Sequence, residues 1–447
     1  MSRAGNTADR RNVLSIRTFL LIAAVLLGLL TTSFQPQNSN TLTRLATAQA
    51  LVARGTFAID NEKSTPENVD KVLVRGSFYS DKPPGLALLV AAVYYPLYHA
   101  GLRLDTSRNL AYGIITFLLI GGSTLLCLAA FYSALGLVGL HESGRMLMTA
   151  GLAFATLMLP WSTTLNNHVF SGSWIFVSFY LLLNAKTRDD NRIFRIIAAG
   201  AAAGLAASAD SACALFVAGF GIYILLTQQL RRATAWYLAA AILMMLPSIA
   251  ISHAITGDFR PMAVHSEYFH YPGSYWNNSL DHLSGVQPNG LAFAFRYALF
   301  CLAGPNGFHL YNPLLLIALY FLVRRAATSQ SLRMEALLVL ILGGIFAGYF
   351  FLYTSNYSGA SYSIRWFVTL IPLLWFFGFP FFENWTVPRK WVYLTLCFVS
   401  VAVAFVGALN QWPDTLDYPQ TPAFVLNWRS AVVPRIDRMT RIVRQTK

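Results

Sequence analysis

The sequence predicts an all-α polytopic membrane protein with about eleven transmembrane helices, and three observations indicate that fold class. Of the 447 residues, 55% are hydrophobic and 12% are charged, whereas about a quarter of the residues in soluble domains are charged. The mean hydropathy is +0.50. Long apolar runs recur from Phe19 to Gly407 with short polar gaps between them. These observations exclude a soluble enzyme and leave no room for a separate soluble catalytic domain.

The basic residues carry information on topology rather than on a nucleic-acid partner. The net charge is +14, but the Lys and Arg residues are dispersed over short loops between apolar runs. That distribution is typical of cytoplasmic loops and differs from the clustered basic surface of a nucleic-acid-binding domain. The cysteines lie inside apolar runs without metal-ligand spacing and are Cys127, Cys213, Cys301 and Cys397. They predict small hydrophobic side chains rather than a redox or metal site.

The N-terminal segment predicts a retained first span. Several arginines precede an apolar run from Phe19 to Leu30, a pattern that a signal peptide shares, but no convincing small-residue cleavage site follows. We therefore expect residues 1–17 to be cytoplasmic. Residues 18–409 are then a single transmembrane domain.

Alternation of the loops decides which apolar runs cross the membrane. If residues 85–102 crossed it, the basic loop 186–195 would lie outside, against the positive-inside rule. That run is short and rich in tyrosine, so we predict an interfacial helix on the outer face. The same argument makes residues 291–302 a second interfacial helix. The predicted spans are 19–30, 108–137, 146–161, 170–185, 196–209, 213–230, 236–253, 310–323, 336–353, 367–381 and 391–409.

This topology places the chemistry on the outer face. It produces two long outer loops, 34–107 and 254–307, and an extracytoplasmic C-terminal tail, 410–447. Loops of this length in a compact domain are usually functional. The first loop begins with a predicted helix over 41–53, which Arg54-Gly55 ends. The acidic residues in the two loops are Asp60, Glu62, Glu67, Asp70, Asp81, Asp105, Asp258, Glu267 and Asp281.

The sharpest local feature is the run Phe78-Tyr79-Ser80-Asp81-Lys82-Pro83-Pro84-Gly85. A carboxylate beside an ammonium group, fixed by two prolines at the start of an interfacial helix, offers an anion site at headgroup depth. The alternative is an ordinary helix N-terminus, with Asp81 as the cap and Lys82 solvated.

At this point the sequence resembles the GT-C glycosyltransferases that use polyprenyl-phosphate sugars, particularly the protein O-mannosyltransferase and aminoarabinose-transferase branch. The resemblance implies a first span, a long outer loop with an interfacial helix and an acidic-Lys-Pro-Pro motif, a second outer loop and many further spans. It extends over most of the chain. The matching segments are 40–55, 79–85, 164–168, 304–313 with its Gly-x-x-x-Tyr-x-Pro run, and 364–372.

The sequence departs from this family where the resemblance implies a catalytic aspartate. That position falls at or near Asn40, and an amide cannot act as a general base. Either the base has moved, with Asp60 and Asp81 as the nearest alternatives, or the subgroup works differently, or the protein is not a transferase. Because Lys82 should keep Asp81 ionised with a lowered pKa, we assign the base role to Asp60 and the ordering of the donor site to Asp81.

Other candidates come from short polar segments. His168 could be a base, a phosphate ligand or a metal ligand, and a structural histidine is the alternative. Asp210, near a span, is a functional candidate or a helix cap. Arg365 would meet a lipid phosphate or else extend to the membrane interface. We take Asp60, Asp81 and His168 as candidate catalytic residues. The candidate substrate-binding residues are Asn40, Arg44, Tyr79, Lys82, Glu267 and Arg365.

We therefore predict a membrane glycosyltransferase in the inner (plasma) membrane. It would move a sugar from a polyprenyl-phosphate donor to the hydroxyl of a lipid, glycan or protein acceptor at the extracytoplasmic face, with inversion. The sequence indicates no cofactor with certainty. A divalent metal ion is possible, and the loop that contains Glu267 is where it would bind. The alternative is a transporter or lipid flippase, which should show repeated halves and a midplane site, features that this sequence does not show. A scaffold without catalysis is a third alternative, because of Asn40.

Overall fold

A computed structural model describes residues 4–31, 38–104, 109–278, 288–417 and 420–436, and within these the side chains of residues 4–15 and 278 are not described. Asp105, Asp281 and the end of the predicted tail, 437–447, lie outside the described residues. The α-helices, numbered α1 to α18 in chain order, are Ala4–Thr31, Ser39–Arg54, Pro84–His99, Leu110–Thr116, Gly122–Leu137, Glu142–Phe154, Met158–Trp161, Asn167–Thr187, Arg192–Ala209, Ala214–Leu226, Thr234–Thr256, Leu291–Ala303, Leu315–Ala327, Arg333–Tyr353, Ile371–Phe376, Pro380–Glu383, Val387–Leu409 and Ala423–Asn427. Shorter helical segments are Phe117–Gly121, Ser211–Cys213, Arg231–Ala233, Met262–Val264, Ser266–Phe269, Tyr275–Asn278, Arg365–Leu370 and Trp428–Val432.

Within the described residues, seven helical stretches are long and apolar enough to cross a membrane. They are Leu110–Leu137, Asn167–Thr187, Arg192–Ala209, Arg231–Thr256, Arg333–Tyr353, Arg365–Glu383 and Val387–Leu409, and each contains or overlaps a predicted span. The other four predicted spans fall on shorter helices or helix segments, so the count of eleven stays a prediction. The interfacial positions of α3 and α12 also stay predictions.

Helix α2 begins two residues before the predicted helix 41–53 and ends one residue after it, and both of its ends are capped. The Asn38 side chain accepts a hydrogen bond from the Asn40 backbone N–H, and Gly55 ends the helix at φ +68° with its N–H bonded to the Leu51 carbonyl. The Thr41 hydroxyl donates to the Leu165 carbonyl at 3.1 Å. This bond fixes the buried face of α2 against the segment that leads into α8.

The first outer loop contains a two-stranded hairpin that the sequence analysis did not predict. Strand β1, Lys71–Val74, pairs antiparallel with β2, Ser77–Ser80, and Lys71 is opposite Ser80. The turn residues Arg75 and Gly76 both have positive φ, 51° and 85°, as a tight hairpin turn requires. The hairpin therefore brings together the residues that precede β1 and follow β2.

Two glycines let the elements around the outer end of the helices approach closely. A Cβ at Gly85 would lie 2.2 Å from the Ser208 carbonyl oxygen, and a Cβ at Gly172 would lie 2.7 Å from the Thr369 Cα atom. Only glycine fits such backbone contacts. The start of α3 is thereby packed against the end of α9, and the first half of α8 against the Arg365–Leu370 helix.

Helix α8 lies at the centre of the core, where it packs against α5, α9 and the Arg365–Leu370 helix. Ser171 and Ser178 donate from their hydroxyl groups to the Ala206 and Ala199 carbonyls of α9. Small residues on both helices permit this close packing. The N-terminus of α8 is thus held rigidly beside α2, the C-terminus of α9 and Arg365.

Candidate functional site

A cavity of about 240 Å³ opens between the hairpin, the starts of α3 and α8, the end of α9 and the second outer loop. Its lining combines charged and polar side chains with aromatic ones. Its lining includes six of the nine predicted site residues, which are Asn40, Arg44, Asp81, Lys82, His168 and Arg365. Residues separated by more than 320 positions in the sequence therefore converge on one site.

The hairpin places an ammonium group between two carboxylates. Nζ of Lys82 lies 2.7 Å from Oδ2 of Asp81 and 3.3 Å from Oδ2 of Asp70. Asp81 is 6% exposed, and its Oδ1 is buried without a hydrogen-bond partner. A buried oxygen of this kind is expensive to leave unpaired. The free oxygen at the cavity wall is therefore suited to accept a hydrogen bond from a ligand.

The pKa of Asp81 differs from the sequence expectation. The sequence predicts that Lys82 lowers it, but burial raises the pKa of Asp81 from 3.8 to about 6. The neighbouring charge of Lys82 opposes this shift, and Asp70 adds to it. Desolvation outweighs the charge of Lys82 because the carboxyl group is buried away from water. The physical premise for excluding Asp81 as a base is therefore wrong.

Arg44 joins α2 to the start of α8. Its Nη1 donates to the Asn40 carbonyl at 2.8 Å and also to the Asn40 side chain, and its Nη2 donates to Oδ1 of Asn167 at 3.0 Å. Arg44 is 1% exposed. Burial lowers its pKa to about 10, although the charges of Asp81, Asp70 and Asp210 favour the protonated form. Arg44 therefore remains charged at neutral pH and holds Asn40 and Asn167 in place.

His168 and Asp210 form a buried pair across α8 and α9. Nδ1 of His168 lies 2.7 Å from Oδ2 of Asp210, and the Asn167 amide donates to the same oxygen at 3.0 Å. Burial would raise the pKa of Asp210, but the charge and hydrogen bond of His168 hold it below its ordinary value. An ionised Asp210 fixes the ring so that Nδ1 carries the proton. Nε2 is then the basic atom of His168.

Arg365 begins the helix that packs against α8. Its guanidinium lies over the Trp412 ring, 5.0 Å from the centroid, and its Nε is buried without a hydrogen-bond partner among the described residues. Asp70 forms an ion pair with Lys82, whereas it acts on Arg365 through its charge. Both cations line the cavity.

Aromatic side chains also line the cavity. Trp366 stacks on Phe350, with centroids 4.6 Å apart and an interplanar angle of 11°. The Trp276 indole N–H donates to the Val69 carbonyl at 2.8 Å, which fixes that ring. Fixed aromatic rings beside polar groups are suited to the faces of sugar rings.

The structure places three predicted site residues outside this cavity. Asp60 is exposed, and its Oδ1 accepts from the Phe78 backbone N–H at 3.0 Å. Tyr79 lines a small pocket beside it, together with Ser80 and Lys82. The Glu267 side chain is 58% exposed and accepts from His265 at 2.9 Å. Asp60 is thus a hairpin contact, and the base role that we assigned to it has no support from its position.

The sequence analysis missed several lining residues, and the reasons differ. Asp70 was not singled out because the hairpin that brings it to Lys82 was not predicted. Asn167 was not singled out, although it lies within the matching segment 164–168. Asp210 was named as a candidate without a partner. Asn356, whose Oδ1 is buried and unpaired, lies in a loop that has no recognisable motif.

No group of three or more His, Cys, Asp or Glu side chains suited to a metal ion occurs among the residues that the structure describes. The carboxylates of the cavity are paired with Lys82 or His168 instead. No step below is therefore assigned to a metal.

The fold is similar to that of two solved membrane proteins, ArnT and AglB, as comparison with known structures shows. The crystal structure of ArnT from Cupriavidus metallidurans in the apo state superposes with a TM-score of 0.53 at 13% identity, over 88% of this chain and 64% of ArnT. ArnT bound to undecaprenyl phosphate gives 0.53 at 14% identity, over 89% of this chain and 70% of ArnT. The archaeal oligosaccharyltransferase AglB from Archaeoglobus fulgidus, in complex with an inhibitory peptide and a dolichol-phosphate, gives 0.52 at 11% identity, over 88% of this chain and 55% of AglB.

These likenesses confirm the predicted fold class, and the chain is an integral multi-pass membrane protein. The chain spans less than two thirds of the apo ArnT structure and about half of AglB. No protein-family model matches the sequence, and comparison with curated proteins found no match.

Proposed function

We propose that this protein is an inverting glycosyltransferase that moves a sugar from a polyprenyl-phosphate donor to an acceptor hydroxyl. The observation that carries the proposal is the convergence of Lys82, Arg365, Asp81 and His168 on one cavity at the end of a bundle of apolar helices. The neighbours support the donor class, since ArnT is found bound to undecaprenyl phosphate and AglB to a dolichol-phosphate. The cavity would open to the extracytoplasmic face of the inner membrane, as the loop charges predict.

Lys82 and Arg365 are the groups that would bind the donor phosphate. A phosphate would displace Asp70 from Lys82 and would also meet Arg365, at a point next to the apolar start of α3. Cations placed where the leaving group gains charge lower the barrier of the chemical step more than they lower the energy of the bound substrate. Their contribution is therefore greatest as the bond to the phosphate breaks.

The sugar would lie against the unpaired oxygens and the aromatic side chains of the cavity. Among the described residues, Oδ1 of Asp81 and Oδ1 of Asn356 are hydrogen-bond acceptors without protein partners, so they are available to sugar hydroxyls. Trp276 and Trp366 would contact the ring face. This arrangement keeps for Asp81 the ordering role predicted from the sequence.

The reaction needs no oxidant or reductant. The acceptor oxygen forms a bond to the anomeric carbon, the bond from that carbon to the phosphate oxygen breaks, and its electron pair stays on the phosphate. The acceptor hydroxyl gives up one proton. Attack from the face opposite the phosphate inverts the configuration of the sugar.

The test uses the full-length protein in lipid nanodiscs with a panel of undecaprenyl-phosphate sugars: glucose, mannose, galactose and 4-amino-arabinose. Water serves as the acceptor, and the release of undecaprenyl phosphate is measured. We expect release from at least one donor, with loss in Lys82→Ala and retention in Arg75→Ala, a matched cation at the exposed hairpin turn. Movement of intact donor between leaflets, without release from any donor, would instead support a flippase.

A further inference from the structure

Transfer of a sugar to a hydroxyl requires a group that takes the hydroxyl proton. Asn40, beside the start of α2, has an amide that cannot do so. The side chains with a basic atom at the cavity are those of Asp70, Asp81, His168 and Asp210. The hydrogen bonds of each decide which of them is free to act.

The two hairpin carboxylates are both paired with the lysine that would bind the phosphate. Asp81 contacts Lys82 at 2.7 Å, and Asp70 contacts the same Nζ at 3.3 Å. Asp81 keeps the role of ordering the sugar that is proposed above, and Asp70 remains the counter-charge of Lys82.

Asp210 is already committed to protein donors. Its Oδ2 accepts from both Asn167 and His168, and the Ala212 backbone N–H adds a further hydrogen bond. His168 is different, because Nδ1 meets Asp210 and Nε2 has no hydrogen-bond partner in the described part of the chain. The ring lines the cavity and the side chain is 8% exposed.

The start of α8 holds the ring in this position. The Asn166 side chain caps the helix by accepting from the His168 backbone N–H at 2.8 Å, and the Thr369 hydroxyl donates to the His168 carbonyl at 3.2 Å. The charged groups that act on the ring are Asp210, Arg365 and Arg44. Because a carboxylate accepts a hydrogen bond from Nδ1, the neutral imidazole carries its proton on that atom. Nε2 then has a free lone pair that can accept a proton, as a general base requires.

We infer that His168 is the catalytic base of the transfer proposed above, on which this inference rests, and that Asp210 is its positioning residue. Nε2 of His168 takes the proton of the acceptor hydroxyl as the acceptor oxygen bonds to the anomeric carbon. The resulting imidazolium is stabilised by Asp210 and later returns the proton to solvent. The polyprenyl phosphate leaves with the electron pair of the broken bond.

The experiment measures release of undecaprenyl phosphate from the active donor, with water as the acceptor, in the nanodisc-embedded protein. We expect His168→Ala to lower kcat by roughly 10²- to 10⁴-fold. The Kd for undecaprenyl phosphate should change less than about threefold, which also shows that the variant is folded. Added imidazole should raise kcat of His168→Ala at least about tenfold. The increase should be larger at higher pH, because the free base is the active form of imidazole.

His309→Ala is the matched control, since His309 is a half-buried histidine that does not line the cavity. It should keep normal kcat and show no response to imidazole. Asp210→Asn should lower kcat more than it changes undecaprenyl phosphate binding, and Asp210→Glu should recover part of the loss. If His168→Ala fails to bind undecaprenyl phosphate, His168→Gln, which keeps a polar side chain beside Asp210, replaces it.

The outcomes separate this inference from the proposed function. An active wild-type protein whose His168→Ala and His168→Gln variants keep normal kcat would overturn the inference alone. Loss of kcat without imidazole rescue, together with an equal loss in Asp81→Asn, would also overturn it in favour of Asp81. A wild-type protein that releases undecaprenyl phosphate from no donor would overturn both.

Discussion

Asp70 and Asp81, eleven positions apart in the sequence, lie side by side because Lys71 and Ser80 pair at the open end of the hairpin. Both carboxylates contact Nζ of Lys82. A phosphate that binds Lys82 must compete with both of them, so donor binding and the charge of this pair are coupled.

The two proposed phosphate cations should contribute separately to donor binding. Removing one charge-assisted hydrogen bond costs about 1.5–3 kcal/mol, so Lys82→Ala and Arg365→Ala should each weaken undecaprenyl phosphate binding about 10- to 100-fold. Titration of nanodisc-embedded protein with undecaprenyl phosphate measures the Kd. Arg75→Ala, at the turn of the same hairpin, should bind normally. Unchanged affinity in both cavity variants would remove Lys82 and Arg365 from the phosphate site.

Asp81→Asn should stabilise the protein at pH 7.5. Because burial raises the pKa of Asp81 from 3.8 to about 6, the folded state binds the proton more tightly than the unfolded state and is penalised where the carboxyl group is ionised. The neutral amide should raise the free energy of unfolding by up to about 3 kcal/mol. Lys82 does not lose its ion pair in this variant, because it keeps Asp70 as its partner. The gain should shrink as pH falls through about 6 and vanish below about 4. Thermal unfolding of both proteins at pH 7.5 and pH 4 checks this, and a variant that is less stable at pH 7.5 would contradict it.

Asp60→Asn should leave turnover nearly normal, in contrast to the large loss that the sequence analysis predicts for a catalytic base. Its carboxylate is exposed and accepts from the Phe78 N–H, and it does not line the cavity. We expect kcat within about twofold of the wild-type value, since exposed hydrogen bonds contribute little. The same assay of undecaprenyl phosphate release measures it. A loss of two orders of magnitude would return the base role to Asp60.

Gly172→Ala should disrupt the contact between α8 and the Arg365–Leu370 helix. The new Cβ would lie 2.7 Å from Thr369 Cα, and backbone atoms cannot yield as a side chain can. Overpacking of this kind costs about 1–3 kcal/mol, and it should separate His168 from Arg365 and lower kcat. Gly343→Ala in α14 is the control, because among the described residues no atom other than those of its chain neighbours and its own helix backbone lies within 4 Å of the position that its new methyl group would take. It should be neutral or slightly stabilising, and equal behaviour of the two variants would contradict the packing argument.

The topology predicted from the loop charges has the hairpin outside the cell and the 186–195 loop inside. A membrane-impermeant maleimide should label Glu67→Cys in intact cells and Arg188→Cys only after lysis. The native thiols Cys127, Cys213 and Cys301 are buried and Cys397 is half-buried, so wild-type protein provides the background. Labelling of Arg188→Cys from outside would overturn the loop assignment.

The amino-acid sequence alone is enough to predict the membrane class, the existence of helix α2 to within two residues at each end, and six of the site residues that line the cavity. Membrane spans are recognisable because their hydropathy extends over long stretches of sequence. The ends of α2 are recognisable because the caps Asn38 and Gly55 are local signals. Neither feature requires knowledge of the fold. The run around Asp81 and Lys82 was recognisable because its prolines and charges are contiguous.

The pairing of the polar groups, by contrast, depends on the tertiary structure. Asp70 reaches Lys82 through a hairpin whose turn, Arg75-Gly76, is a weak turn signal, and Asp210 reaches His168 across two helices. The same contacts set the chemistry: burial raises the pKa of Asp81 against the influence of Lys82, and the hairpin holds Asp60 away from the cavity. Burial and pairing depend on residues distant in the chain, which is why composition and spacing could name the candidates but not assign their roles.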